Sequence, residues 1–444
     1  MIELAEKQDV YLSHFASRGR KTPAEPAWLD ELRTDAIKRY SALGFPDTHA
    51  EDWKYTNVAP IARIPFRRPP KTNLSMQELE RLPLTGFNCG TRLVFVNGHY
   101  SPALSKGGDA TKGLRVENLA SALQKGSTAV GHHFARHAQL DGHAFPALNT
   151  ALFEDGALIE IADNVTVAEP IHLVYVSQAD GEPHAVHPRN LITVSHGSRA
   201  AVIETYVSAG DGVHFTNAIT EIYVAEGATL DHYKIQNESS RAFHVGTIQA
   251  SQGRGSVLHS HNVSFGAALA RNDVNSVLEE EGAECILNGL FVVTGTQHVD
   301  NHTALDHASP HCNSRELYKG ILDGQGAGVF NGKIKVHKDA QKTNALQSNK
   351  NVLLSADAVI NTKPQLEIFA DDVRCTHGAT VGHLDEEAQF YMQSRGITRQ
   401  RARDLLTYAF AGELFDRMEW APVRVQLERE LYRKLSPENS KELA

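Results

Sequence analysis

A short glycine-led motif recurs through the middle of this chain: Gly156-Ala-Leu-Ile159, Gly197-Ser-Arg-Ala200, Gly227-Ala-Thr-Leu230, Gly255-Ser-Val-Leu258, Gly282-Ala-Glu-Cys285 and Gly326-Ala-Gly-Val329. Each is a glycine turn, a small residue, and then the start of a run suited to a strand. The middle four lie 27 to 30 residues apart. That period fits stacked solenoid coils, whereas a hairpin sandwich needs a turn about every 8–12 residues. Two-residue hairpin signals are few: Asn97-Gly98, Asp155-Gly156, Asp211-Gly212 and Asn331-Gly332. The pattern therefore predicts a mainly β chain with a parallel β-solenoid core. Val, Ile, Leu and Ala ladders would fill its interior, and backbone groups would pair from coil to coil. A stack of this kind has an open edge at each end, to be covered or used to join a partner.

The β character runs over residues 92–383, between helical regions at 1–91 and 384–444. In the first region Trp28, Leu29, Leu32, Ile37 and Tyr40 fall roughly on one helical face, and Gly44 then Pro46 stop the helix. The basic, proline-rich stretch from Arg63 to Lys71 reads as a solvated linker. After Gly382, a segment from Asp385 to Ser394 carries its acids where a helix start favours them. Thr398 then caps a second helix, on which Ala402, Leu405, Leu406, Ala409, Phe410, Leu414, Phe415 and Met418 form one apolar face. Val423, Leu427, Leu431 and Leu435 point to one more helix after Pro422. The long apolar face serves either packing on the solenoid or docking of a partner by helix-in-groove contact.

Chemistry concentrates at the end of the β region, where Cys375 and His377 stand two residues apart on an apparent strand closed by Gly378. Alternate residues of a strand share a face, which puts the thiol and the imidazole on one side, about 7 Å apart at Cα. Such a pair can bind iron, zinc or copper, or handle sulfur in transit. The chain is rich in histidine, with 23 in all, and His298, His302, His307 and His311 form the densest group, followed by Cys312. On extended backbone His298 and His302 share a face and His307 takes the other. No fixed zinc spacing is present, so these four are read first as hydrogen-bonded structural residues. Cys89, Cys285, Cys312 and Cys375 contain no C-x-x-C pair and are expected as free thiols in a reducing compartment.

A net charge of −9 argues against nucleic acid as the main partner. No apolar run has the 18 or so residues of a membrane span and the opening residues lack a signal-peptide core, so the expected location is the cytoplasm. No Walker A sequence and no G-x-S-x-G elbow occurs, so ATP hydrolysis is not expected of this chain. A β-helix carbohydrate-active enzyme is the alternative of another class. Its candidate acids, Asp371-Asp372 and Glu279-Glu-Glu281, are adjacent, and adjacent acids on a strand point to opposite faces.

Further words surround the pair: Asp300-Asn-His-Thr303, Tyr318-Lys-Gly-Ile-Leu-Asp-Gly324, Val329-Phe-Asn-Gly-Lys-Ile334, Ala340-Gln-Lys-Thr343, Asn349-Lys-Asn351, Lys363-Pro-Gln-Leu-Glu367 and Cys375-Thr-His-Gly-Ala-Thr380. In order and spacing they resemble the core signature of the SufB/SufD family of iron-sulfur cluster assembly proteins. Upstream, Glu51-Asp-Trp-Lys-Tyr-Thr56 after Gly44-Phe-Pro46 resembles the amino-terminal element of the SufD branch. SufB-type chains carry more cysteines than the four here, which also favours that branch, with a SufB-like cluster-carrying scaffold as the alternative.

The resemblance implies a right-handed parallel β-helix and a non-catalytic scaffold subunit of a SufBCD complex. In that complex a SufB-type paralogue and the SufC ATPase are partners, and a homodimer is possible for the isolated chain. It further implies that His377, with Cys375 beside it, ligates iron or a nascent iron-sulfur cluster transiently at the SufB–SufD interface. The carboxyl-terminal helices would attach SufC, making Leu405, Leu406, Phe410, Leu414 and Phe415 candidate contacts. A flavin is associated with assembled complexes of the family, although no dinucleotide fingerprint is present here.

Overall fold

The computed structural model describes residues 9–18, 26–107, 111–138, 140–179 and 181–435. Its centre is a β-solenoid whose chain alternates between two facing sheets. The first sheet stacks, in parallel, strands that include Arg199–Ala209, Thr229–Asn237, Val257–Ser264, Glu284–Val293, Asn313–Leu322, Asn344–Leu353 and Arg374–Gly382. The second stacks His214–Val224, Phe243–Gln252, Leu269–Leu278, His298–His307, Ala327–Val336 and Val359–Ile368. Thr229 lies beside Val257, Val257 beside Glu284, Glu284 beside Asn313 and Asn313 beside Asn344, so one coil takes 27 to 31 residues.

The glycine period has a single cause. Gly197, Gly227, Gly255 and Gly282 occupy the same corner of successive coils with φ between 57° and 75°. Each donates its N–H to a carbonyl of the next coil's turn, at Glu226, Arg254, Glu281 and Pro310 respectively. Left-handed backbone is where glycine costs least. The next two coils keep the turn without it: His311 and Lys342 take φ of 60° and 62° and bond to the Gln341 and Asp372 carbonyls. The repeat therefore fades in sequence while continuing in space. Gly326 belongs to the opposite corner, before a second-sheet strand, as does Gly156. Asn97-Gly98 is a hairpin turn joining Thr91–Val96 to His99–Tyr100, whereas Asn331-Gly332 lies inside a strand.

Apolar ladders fill only part of the interior. In the central coils Glu204, His232, Lys234, Glu238 and His244 are buried as well. Glu204 lies 3.0 Å from His232 Nε2 and accepts from Thr220 at 2.8 Å. Lys234 Nζ donates to Asn272 at 2.5 Å, and Glu238 lies 2.8 Å from His244 Nδ1 and accepts from Thr216 at 2.6 Å. A dry interior holds such groups only when they pair, and here they pair with one another.

Helices cover both outer faces. Residues 92–383 are not one unbroken stack: helices Leu119–Lys125, Thr128–His133 and Ala144–Leu152 intervene. All nine residues of the last are buried, between the helix Ala27–Leu43 and second-sheet residues such as Phe215 and Val245. The helix Ala27–Leu43 ends at Gly44, with φ of 63°, as its sequence predicts. The Arg63–Lys71 stretch is not a free tether. Phe66 is fully buried, Arg67 donates its N–H to the Pro183 carbonyl, and the Arg67 carbonyl accepts from Ala185. On the first sheet, Leu414, Phe415, Met418, Val423, Leu427 and Leu431 of the carboxyl-terminal helices pack against Ile203, Tyr233, Ile235, Val263, Leu290 and Ile321. No helix among the described residues is long and apolar enough to cross a membrane.

Candidate site at the open end of the solenoid

The last coil has neighbours on one side only. Among the described residues Val359–Ile368 pairs just with Ala327–Val336, and Arg374–Gly382 just with Asn344–Leu353. Around it the surface is unusually apolar, with Leu346, Val359, Ile368, Phe369 and Val381 exposed, Phe369 by 60%.

Cys375 and His377 sit on this final strand and continue two columns of inward-facing side chains. Cys375 lies in register with Ala345, then Ser314 and Cys285; it is half-buried and packs against the interior cluster. Burial pushes its thiol pKa up, which favours the protonated sulfur. His377 lies in register with Gln347, then Glu316 and Leu287, and is exposed because no coil follows. The strand thus puts both side chains on one face, at the mouth of the solenoid.

Across the interior the second sheet supplies its own column, Thr303, Gly332 and Pro364. A Cβ at residue 332 would lie 2.2 Å from Gln347 Nε2, so glycine there makes room for the Gln347 amide. That amide donates to Glu316 Oε2 at 2.8 Å. Burial pushes the Glu316 carboxyl up to about 7, opposed by Thr303 and Gln347 beside it. The Thr303 hydroxyl lies outside hydrogen-bond geometry, so Glu316 Oε1 has no partner. Four separate sequence words, those around Thr303, Gly332, Pro364 and His377, converge on this one end of the stack.

Two donors alone do not complete a metal site. Among the described residues no third imidazole, thiol or carboxylate groups closely with Cys375 and His377; the one such trio is Asp231, His259 and Glu419. There, however, the Arg199 guanidinium bonds Glu419 at 2.6 Å and comes within 3.7 Å of Asp231, so a cation is already in place. The dense histidine group is engaged within the fold. His298 Nε2 lies 2.9 Å from Thr56 Oγ1, His302 Nε2 3.1 Å from Asp300 and His307 Nε2 2.9 Å from Ser314 Oγ, while His311 forms a coil corner. Cys89, Cys285 and Cys312 are buried.

The amino-terminal word docks on the same solenoid. Thr56 donates to Asp300 at 2.6 Å; Arg271 bonds both Asp300 and the Asp52 carbonyl and stacks on Trp53, 3.8 Å from its centroid. Glu51 reaches the last coil as an ion pair with Lys363.

The expected docking face on the carboxyl-terminal helices divides. Leu414 and Phe415 are fully buried against the first sheet, which commits them to intramolecular packing. Leu405, Leu406 and Phe410 are half-buried. The most exposed large apolar residues of this region lie elsewhere, on the helix Glu386–Ser394, where Phe390 is 73% and Tyr391 60% exposed. Sequence reasoning passed over them because the helix is short and mostly polar. An aromatic pair with no large apolar neighbour at helical spacing was the signal that could have found it.

Family profiles agree with this layout. The SufBD core domain of SUF-system FeS cluster assembly matches residues 175–410, and the SufBD N-terminal region matches residues 5–173. The chain is 34% identical over 380 residues to the iron-sulfur cluster assembly protein SufD of Escherichia coli, covering 85% of this chain and 86% of that one. It is 32% identical over 412 residues to an iron-sulfur cluster assembly SufBD family protein of Synechocystis sp., covering 91% and 90%. The SufD protein of Bacillus subtilis is 27% identical over 437 residues, covering 96% and 97%. With the solenoid, both helical flanks and the converging signature words accounted for, the chain belongs to the SufBD family of iron-sulfur cluster assembly proteins.

Proposed function

We propose that this chain is a non-catalytic scaffold subunit for ATP-dependent cluster assembly. It would pair through the open end of its solenoid with a SufB-type paralogue, while a SufC-type ATPase attaches at the carboxyl-terminal helices. His377 and Cys375 would then contribute to holding iron or a nascent cluster at the interface between the two solenoids. The observation that carries this reading is the position of an exposed imidazole and a half-buried thiol, on one face, at an unpaired and apolar-rimmed coil. An incomplete ligand set is what a shared site requires, since the missing donors come from across the interface. A histidine in a mostly thiolate ligand set is the more exchangeable donor, which suits cargo that must leave. A cluster-carrying scaffold acting alone is less well supported, because the other three cysteines are buried.

Anaerobic cluster assembly with SufB-type and SufC-type partners tests the proposal. His377→Ala should leave the complex intact by size exclusion and strongly reduce the cluster formed, with Cys375→Ala measured alongside. Undiminished cluster formation in an intact His377→Ala complex would reject the ligand role.

A further inference from the structure

Gln347 is 1% exposed, and its two polar atoms have different fates. Its Nε2 donates to Glu316, whereas its Oε1 is buried without a hydrogen-bond partner. Buried carbonyl groups of this kind are almost always satisfied, so an orphan calls for an explanation. The place of the amide is built: Gly332 clears space for it from the opposite sheet, and Glu316 holds its nitrogen. Directly above, in register and on the same face, stands His377, which makes no hydrogen bond or ion pair among the described residues. Neighbouring strands are about 4.8 Å apart, within reach of a glutamine side chain.

An imidazole that binds a metal through one nitrogen nearly always donates the other N–H to a carbonyl, a carboxylate or water, which fixes its tautomer and ring orientation. The orphan carbonyl supplies that acceptor. Resting on the reading of His377 as an iron ligand, we propose that Gln347 is its positioning residue. The Gln347 carbonyl accepts the ring N–H that faces into the stack and leaves the outward nitrogen unprotonated for iron. Glu316 anchors the amide so that its oxygen, and not its nitrogen, meets the imidazole. A nitrogen presented to the ring would disfavour that tautomer.

The test uses the full-length chain labelled with 15N-histidine, with the His377 signals assigned by their loss in His377→Ala. Long-range 1H–15N spectra should show one dominant neutral tautomer at His377, becoming a mixture in Gln347→Leu. Gln347→Asn keeps the amide but shortens its reach; it should give the same mixture and serves if leucine disturbs the coil. Glu316→Gln keeps an acceptor for the Gln347 amide and should retain the single tautomer. Anaerobic binding of ferrous iron by the chain in complex with a SufB-type partner should weaken by about 10–100-fold in Gln347→Leu. A tautomer unchanged in both Gln347 variants overturns the positioning role whether or not iron binds. Iron binding by that complex unaffected by His377→Ala rejects the ligand reading instead, so the two failures are distinct.

Discussion

The Thr56 hydroxyl donates to Asp300 Oδ2 over 2.6 Å, across 244 residues of sequence, and so joins the amino-terminal Glu-Asp-Trp-Lys-Tyr-Thr element to the Asp-Asn-His-Thr strand of the solenoid. The same carboxylate accepts from Arg271 at 2.8 Å. Burial alone would raise the Asp300 pKa, but Arg271 and His302 hold it well below the usual carboxylate range. The element is therefore a strap locked onto the outer face of the second sheet, and its Glu51 reaches the final coil through Lys363.

Removing the carboxylate leaves Arg271 paired with Asp273 but takes away the buried acceptor that it shares with Thr56. Asp300→Ala should destabilise the chain by about 2–3 kcal/mol in urea unfolding, the scale of a lost buried hydrogen bond between charged groups. Thr56→Val, which takes away one neutral donor, should cost about 1 kcal/mol. Equal costs for the two would show that the strap, and not the buried charge, carries the stability.

Burial lowers His172, His187 and His261 to about 3, and His184 and His307 to about 4, from an ordinary 6.5. The unfolded chain takes up protons at these positions first, so their stabilisation is complete above pH 6.5 and is lost as pH falls toward 4. Each adds a slope of up to about 1.4 kcal/mol per pH unit. Glu316, raised from 4.5 to about 7, acts oppositely: its contribution is present below pH 4.5 and lost as pH rises through 7. Five groups outweigh one. The thermal midpoint should fall clearly between pH 6.5 and 5, and a flat profile there would contradict the buried neutral histidines.

Phe369 is 60% exposed in the turn joining the two strands of the last coil. Phe369→Glu should leave the thermal midpoint within a degree or two, since a surface change away from packing is worth about ±0.5 kcal/mol. It should weaken association with a SufB-type solenoid by at least tenfold in a titration. Unchanged affinity would move the interface away from the open end.

Phe415 and Phe390 are both aromatic and both on the carboxyl-terminal helices, yet their environments differ. Phe415→Ala removes a fully buried ring and should cost about 3–5 kcal/mol. Phe390→Ser should leave stability unchanged and reduce capture of the SufC-type ATPase. If Phe390→Ser retained full capture, the attachment surface would lie with the half-buried Leu405, Leu406 and Phe410.

The sequence made some features legible because their causes are local. Gly44 ends the first long helix, Asp385 and Thr398 accept from first-turn N–H groups as caps, and four glycines mark one coil corner. The same corner became invisible at His311 and Lys342, where a side chain bears the left-handed strain. The interior was misjudged for a related reason. Glu204, His232, Glu238 and His244 look like surface residues until their partners are known, a coil away for Glu204 with His232 and across one turn for Glu238 with His244.

At the candidate site, the alternation of a strand sufficed to put Cys375 and His377 on one face, because that depends only on backbone geometry. That this face is the inner one, at the uncovered end of the stack, depended on register over the neighbouring coils. The amphipathic pattern of the second carboxyl-terminal helix likewise fixed which residues seek an apolar neighbour. It did not say whether that neighbour is the chain's own sheet, and for Leu414 and Phe415 it is. Sequence alone determined the helix ends and the face shared by thiol and imidazole, both set within a few residues, and it marked the coil period through glycines whose left-handed backbone is a local requirement. Tertiary structure alone decided what lies beneath His377, where the amino-terminal element docks and which apolar faces remain free, because stacking brings together residues separated by whole coils.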